Sequence, residues 1–264
     1  MTDPSRPRTS DVNGQLWGAR ARDWAEVQEG QFAAGYDDVL ACAHVGQGTR
    51  LLDVGCGAGM AAQHAAALGA TVSGIDAAPL LLEIARERVP GGDFRVGDLE
   101  DLPFAAGSFD VVTGFNSFQF AGNPLRALTE ARRVTRPGGI VAIMTWGRPE
   151  GMEAASVVSA LRPLLPPAPP GAPSPFALSD PDRLSALAVE AGLTPFQVIA
   201  GETQWVYPDL ATAVRGLNSS GGAIRAASIA GDAAVSAAHM TALAPFRKPG
   251  GSIRLGARYM ALLA

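Results

Sequence analysis

The stretch Arg50-Leu-Leu-Asp-Val-Gly-Cys-Gly-Ala-Gly59, continuing as Met60-Ala-Ala-Gln-His-Ala-Ala-Ala67, decides the fold. A short apolar run ends at Val54 in a cluster of glycines, and an Ala-rich helical stretch then runs to Leu68 and stops at Gly69. Strand, tight turn and helix follow one another within twenty residues. Downstream the pattern repeats. Thr71-Val-Ser-Gly-Ile75 reads as a second strand ending at Asp76, and Pro79 opens a helix through Leu82 and Ala85 to Val89, proline being tolerated in a first turn. Asp93–Val96 is a third strand ending at Gly97-Asp98, and Asp110–Phe115 is a fourth. Leu125–Val134 is a helix, and Gly139–Thr145 is a fifth strand. Strands alternating with helices of this length make βαβ units, so the first 150 residues form a doubly wound α/β domain on a mainly parallel sheet.

Upstream, residues 14–45 look helical, with Trp17, Ala21, Trp24 and Ala25 near helical spacing, and form an N-terminal helical cap. Residues 1–13 read as a disordered tail without the apolar stretch of a secretory signal. Seven of the thirteen residues from Pro163 to Pro175 are proline, which forbids a helix there and predicts a stiff loop over 163–178. Ser179–Ala191 is a helix with Ser179 as its N-cap, and Phe196–Tyr207 and Ser252–Leu263 are strands six and seven. Between them, residues 209–246 form small-residue helices with glycine breaks, an inserted helical lid. Residues 14–264 then make one domain, with 163–178 and 209–246 on its substrate side.

Composition narrows the function. The chain has 264 residues, a net charge of −4 and 20 Arg against one Lys; the Arg and Ala excess has the look of a coding bias and carries no chemistry. An acidic balance argues against a nucleic-acid partner. Two cysteines, Cys42 and Cys56, cannot make a disulfide framework and suit a cytoplasmic location, and no apolar run is long enough to span a membrane.

Ligands of open α/β sheets bind beyond the carboxyl ends of the strands. After strand one, Gly55-x-Gly57-x-Gly59 lets backbone pass close to a ligand. It lacks the Lys of a triphosphate loop and the spacing of a dinucleotide loop. Asp53, before the glycines, would repel a pyrophosphate but suits an amino group. Asp76 can accept both hydroxyls of a ribose, and Asp98 can meet an adenine amino group. Three acids around a glycine loop suit a cationic, phosphate-free adenosine ligand, and S-adenosylmethionine fits.

Leu51–Gly59, Gly74-Ile-Asp76, Gly97–Phe104 and Phe109-Asp-Val-Val112, in that order, resemble class I S-adenosylmethionine-dependent methyltransferases, as does the turn Arg132–Gly139. The resemblance is tight over residues 50–146 and implies a Rossmann-like methyltransferase fold of seven strands. It implies that Gly55, Cys56, Gly57 and Gly59 bracket the methionine part, that Asp76 holds the ribose and that Ala77 and Leu81 flank the adenine. Asp98 and Leu99 would face the adenine amino edge, Asn116 would lie near the sulfonium, and Trp24 would cover the cofactor. Ala78 stands where such sequences often have serine, which removes one polar contact.

Blander readings stand beside these. Cys56 is a small loop residue rather than a reactive thiol, and Asp110, at the far end of strand four, is structural. His44 lies on the wrong edge and His64 faces sheet or solvent, whereas His239 lies in the lid, where a base is useful. Tyr207 and Tyr259 are rivals for that role.

Methyl transfer from a sulfonium rests mostly on positioning, and a general base is needed only for a nucleophile of high pKa. Phe115–Gly122 carries no carboxylate for a magnesium ion and lacks the Asn-Pro-Pro-aromatic signature of enzymes acting on adenine or amide nitrogen. The expected activity is metal-independent methylation of O, N or C on a small, largely apolar molecule such as a secondary metabolite, in a pocket bounded by Phe115, Phe118 and Phe120 with Gln119 as an orienting group. The alternative is a protein of this fold that binds the cofactor and catalyses a non-methylating reaction such as cyclisation. A nicotinamide dehydrogenase and a pure binding module are the remaining rivals.

Overall fold

The computed structural model describes residues 8–167 and 173–264. Seven strands form one sheet in the order β3-β2-β1-β4-β5-β7-β6. They are β1 (Arg50–Val54), β2 (Thr71–Asp76), β3 (Asp93–Val96), β4 (Phe109–Phe115), β5 (Thr135–Trp146), β6 (Gln197–Tyr207) and β7 (Ile253–Leu263). β1 to β5 are parallel neighbours, and β7 runs antiparallel between β5 and β6. The order reverses between β1 and β4, which opens a crevice at their carboxyl ends.

The helices are α1 (Thr9–Gly18), α2 (Ala21–Asp23), α3 (Ala33–Cys42), α4 (Met60–Ala67), α5 (Pro79–Arg88), α6 (Pro124–Val134), α7 (Glu153–Ser159), α8 (Pro181–Glu190), α9 (Leu210–Leu217), α10 (Gly221–Ala230) and α11 (Asp232–Leu243). Strand alternation sorts the core into two faces. Leu51, Val111, Ala142 and Met144 point to the face covered by α3, α4 and α5. Leu52, Val112, Val141 and Ile143 point to the face covered by α6 and α8. With both faces covered, the strands read as nearly continuous apolar runs, as buried parallel strands do.

Three expectations are corrected. Residues 9–13, assigned to a tail, belong to α1, because Ser10 and Asn13 find partners on the sheet: Ser10 Oγ donates to Asp98 Oδ2 (2.9 Å) and Asn13 Nδ2 to the Phe120 carbonyl (3.0 Å). Residues 1–7 of that tail lie outside the described residues, as do 168–172 of the proline-rich loop. Within that loop, Arg162–Leu164 forms a 3-10 turn rather than extended chain. Finally, Asp180 rather than Ser179 caps α8, its Oδ1 accepting from the amides of Asp182 (3.0 Å) and Arg183 (3.1 Å). One carboxylate oxygen thus satisfies two free amides of the helix start.

The helical 14–45 segment comes in pieces. After α2 the chain makes a π-helical turn over Trp24–Gln28, a 3-10 turn over Glu29–Phe32, and then α3. α7 was not read from the sequence at all.

Candidate active site

The glycine loop sits at the carboxyl end of β1. Gly55, Gly57 and Gly59 all take left-handed backbone, with φ of +74°, +54° and +81°. At Gly59 glycine is needed twice, because a Cβ would also stand 2.8 Å from Ala85 Cβ and 2.9 Å from Ala85 Cα, where α4 and α5 meet. The loop is held from the side by Asp76: its Oδ2 accepts from the Gly57 amide (2.9 Å) and its Oδ1 from the Ala78 amide (2.8 Å). Ser117, just after β4, packs on Gly55, and its hydroxyl donates to the Val54 carbonyl (2.6 Å). β1, β2 and β4 therefore present their ends as one cradle.

Asp53 lies beneath this cradle, 1% exposed, and accepts from Thr113 Oγ1 at 3.0 Å. Burial, helped by the nearby charges of Glu29 and Asp76 and opposed by the Thr113 hydrogen bond, pushes its carboxyl up to about 7. Burial also raises Asp76 against its backbone hydrogen bonds, and raises the Cys56 thiol well above its ordinary value. A thiol so placed is inert. Cys56 Sγ faces Gly74 on β2, so this residue offers only backbone to the cradle.

α1 lies across the ends of β2, β3 and β4. Gly14 packs so closely on Ala77 that a Cβ there would stand 2.2 Å from the Ala77 carbonyl oxygen. Asp98 divides its carboxylate between Ser10 and the Glu100 amide (2.9 Å). Leu99 is partly buried against the α6 face. Leu81, 2% exposed, packs with Ala21, Ala25, Ala58 and Ala78 under the cap rather than beside an open adenine slot. Trp24 lies over the glycine loop, and its ring meets Trp17 edge-on at 4.8 Å. Trp17 in turn meets Phe120 at 5.6 Å. Asn116, directly after β4, holds a left-handed conformation (φ 50°) with its amide on the Met144 carbonyl. Gln119, 1% exposed, donates to Asn116 Oδ1 (3.2 Å), and its own Oε1 is buried without a partner.

Helices α9 to α11, inserted between β6 and β7, pack against the cap. Arg20 pairs with Asp232 (2.6 Å), and Arg215 pairs with Asp23 (2.6 Å) and Glu26. Tyr207 Oη donates to Gln28 Oε1 (2.8 Å). His239, 2% exposed, sets Nδ1 2.7 Å from Asn218 Oδ1, whose amide nitrogen donates to Ser236. Asn218 Oδ1 can only accept, so the ring proton sits on Nδ1 and the Nε2 lone pair is left over. Burial lowers His239 to about 4, so the ring is neutral near pH 7. No hydrogen bond joins it to Gln119 or Asn116; the structure places these two groups of residues on the lid and the sheet separately. Tyr259 donates to Asp38, away from the cradle, and burial raises it to about 12. His64 pairs with Asp37 on the surface, and Asp110 pairs with Arg50 and Arg136 at the amino end of β4, as its structural reading requires.

Sequence reasoning missed Glu29. This carboxylate, 4% exposed, pairs with Arg88, which also donates to the carbonyls of Ala58 (2.9 Å) and Ala25 (2.8 Å). Burial raises its carboxyl against the pull of Arg88. The pair ties the cap, the glycine loop and α5 together, a link across 59 residues that no local pattern announces.

The cradle fits a cationic adenosine sulfonium: bare glycine backbone, acids beneath and beside it, no basic side chain on the loop, and indoles above. Among the described residues no helix is long and apolar enough to cross a membrane. Residues 52–143 match a methyltransferase domain. A ubiquinone biosynthesis O-methyltransferase of Cereibacter sphaeroides is 36% identical over 172 residues, 62% of this chain and 68% of that relative. Among solved structures, the [4+2]-cyclase SpnF superposes with a TM-score of 0.59 at 21% identity, over 98% of this chain and 97% of its own. A TehB-like methyltransferase from Corynebacterium glutamicum superposes with a TM-score of 0.50 at 20% identity, over 69% of this chain and 87% of its own. With the fold, the ordered motifs and this relative in agreement, the chain belongs to the class I S-adenosylmethionine-dependent methyltransferases.

Proposed function

We propose that this enzyme transfers a methyl group from S-adenosylmethionine to a small, largely apolar molecule, with oxygen the favoured acceptor atom. The observation that carries the reading is the closure of the cradle. Ser117 packs on Gly55, Phe120 meets Trp17 of the cap edge-on at 5.6 Å and Phe115 meets Tyr36 at 4.9 Å, whereas Phe118, expected at the pocket, is buried in the core on the α6 face. An apolar, aromatic border of this kind suits a compact apolar acceptor. Oxygen is favoured by the name of the 36% identical relative.

When bound, S-adenosylmethionine supplies an electrophilic methyl group on a sulfonium that leaves as a neutral thioether. The chain's part is positioning. The glycine loop and Asp76 hold the donor end, and Asp53 and Glu29 supply negative charge below and beside it. Asn116 is locked by its left-handed backbone and by Gln119, leaving its own N–H2 to orient the acceptor. His239, buried on α11, lowered to about 4 and bonded to Asn218 rather than to Asn116 or Gln119, is a poor base near pH 7, so no proton transfer is assigned to it and catalysis rests on positioning. Excluding water is the task of the lid, which the Arg20 and Arg215 ion pairs hold against the cap.

A non-methylating reaction is the second reading, favoured by the likeness to SpnF along nearly the whole chain, lid included. One experiment separates the two. The enzyme is incubated with methyl-labelled S-adenosylmethionine and a panel of phenols, amines and polyketide-like alcohols, and S-adenosylhomocysteine is counted against product. One per product supports methyl transfer; product without S-adenosylhomocysteine sinks it in favour of the second reading.

A further inference from the structure

Glu29 and Trp24 stand together beside Gly57 of the glycine loop. A Cβ placed on Gly57 would lie 3.5 Å from Glu29 Oε1 and 3.9 Å from Trp24 Nε1, so both atoms border the space in front of Gly57. The π-helical turn makes this pairing. It bonds the Glu29 amide to the Trp24 carbonyl, so two residues five apart share one face. An α-helix, at 3.6 residues per turn, would set them far apart around its axis. Such single turns of π-helix are uncommon and concentrate at functional sites.

The chemistry of the two groups is complementary. Glu29 Oε2 is taken by Arg88, which keeps the carboxylate anchored. Glu29 Oε1 accepts a long bond from the Met60 amide (3.4 Å), the carboxylate also faces the Ala58 amide, and a carboxylate oxygen has capacity for more. The indole N–H of Trp24 can only donate. A buried ion pair is seldom retained for stability, since an apolar pair of similar volume does as well or better. An acceptor and a donor facing one glycine suit a zwitterion.

We infer that Glu29 and Trp24 form the subsite for the amino-acid end of the cofactor, the Glu29 carboxylate taking the ammonium and the Trp24 N–H the carboxylate. This rests on S-adenosylmethionine being the cofactor, and it adds a determinant that separates the cofactor from adenosine thioethers lacking the amino acid.

Calorimetry tests it with two probes, S-adenosylhomocysteine and 5′-methylthioadenosine, which lacks the amino-acid end. Glu29→Gln is expected to weaken S-adenosylhomocysteine by about 10- to 100-fold, the worth of one charge-assisted hydrogen bond, and to leave 5′-methylthioadenosine unchanged. Trp24→Phe, which keeps a ring against Trp17 and leaves the Arg88 pair whole, is expected to lose about 5- to 10-fold on the first probe only. Thermal melts establish that each variant is folded. An equal loss on both probes, or no loss with Trp24→Phe and Glu29→Gln both folded, overturns the assignment. Should the unaltered enzyme bind neither probe, the cofactor reading itself fails and this subsite falls with it.

Discussion

Replacing Asp53 by Asn should make the ligand-free enzyme more stable at alkaline pH and worse at holding its cofactor. Asp53 is buried beneath the glycine loop, and burial raises its carboxyl from 3.8 to about 7. Between those two values the unfolded chain has lost this proton while the folded chain keeps it, so folding binds a proton and stability falls as pH rises. Above pH 7 both states are ionised and the loss is complete. Between pH 5.5 and 8 the span still to be lost runs from 5.5 to about 7, which at 1.36 kcal/mol per pH unit is about 2 kcal/mol. Asn keeps an oxygen for Thr113 and cannot ionise. Melting temperatures of the two proteins at pH 5.5 and pH 8 isolate the effect, because other titrations largely cancel in the difference. For a chain of this size the Asn variant should gain about 4–8 °C on the parent in going from pH 5.5 to 8. The same substitution should weaken S-adenosylhomocysteine at pH 8 and flatten the rise of its affinity through pH 7 that is expected of the parent. A melting difference that is the same at both pH values, with affinity unchanged, would refute the placement of a buried, ionising acid under the cofactor.

Three further outcomes are expected. Gly59→Ala, which forces alanine into left-handed backbone and against the Ala85 backbone, should cost about 2–4 kcal/mol in a denaturant titration. Arg215→Ala removes the ion pairs to Asp23 and Glu26; stopped-flow dissociation of S-adenosylhomocysteine should quicken at low salt, and the difference should vanish near ~1 M NaCl, where exposed pairs are screened. Asp110→Ala should leave cofactor affinity unchanged. Arg50 and Arg136 hold the Asp110 carboxyl well below the usual carboxylate range, so its stabilisation is present above about pH 4 and lost in acid, at a cost of about 1 kcal/mol in neutral urea melts.

What was legible in the sequence was local. The strand, glycine loop and helix from Arg50 to Ala67 lie within one stretch, and the acids at the ends of β2 and β3 are fixed by strand length, so the cradle residues could be named in advance. The cap was legible only as helix. Its π-helical turn breaks the 3.6 period without a Gly or Pro to mark it, so neither the inward aim of Glu29 nor its pairing with Arg88 left a local trace. Ser10 and Asn13 looked like tail because their partners, Asp98 and the Phe120 carbonyl, are 88 and 107 residues away. Their side chains join the start of α1 to the sheet, and nearby polarity alone could not say so. In the lid, the position of His239 was readable, but its neutral ring and its Asn218 partner depend on helix packing that small, similar residues do not encode as pattern.

The most direct measurement is a calorimetric titration of the purified chain with S-adenosylhomocysteine, and separately with NADH, the ligand of the nearest rival use of this fold. A single S-adenosylhomocysteine site per chain, weakened by Asp76→Ala, with no heat from NADH, is the predicted result. Saturable NADH binding, or S-adenosylhomocysteine affinity untouched by Asp76→Ala, would contradict the site described above.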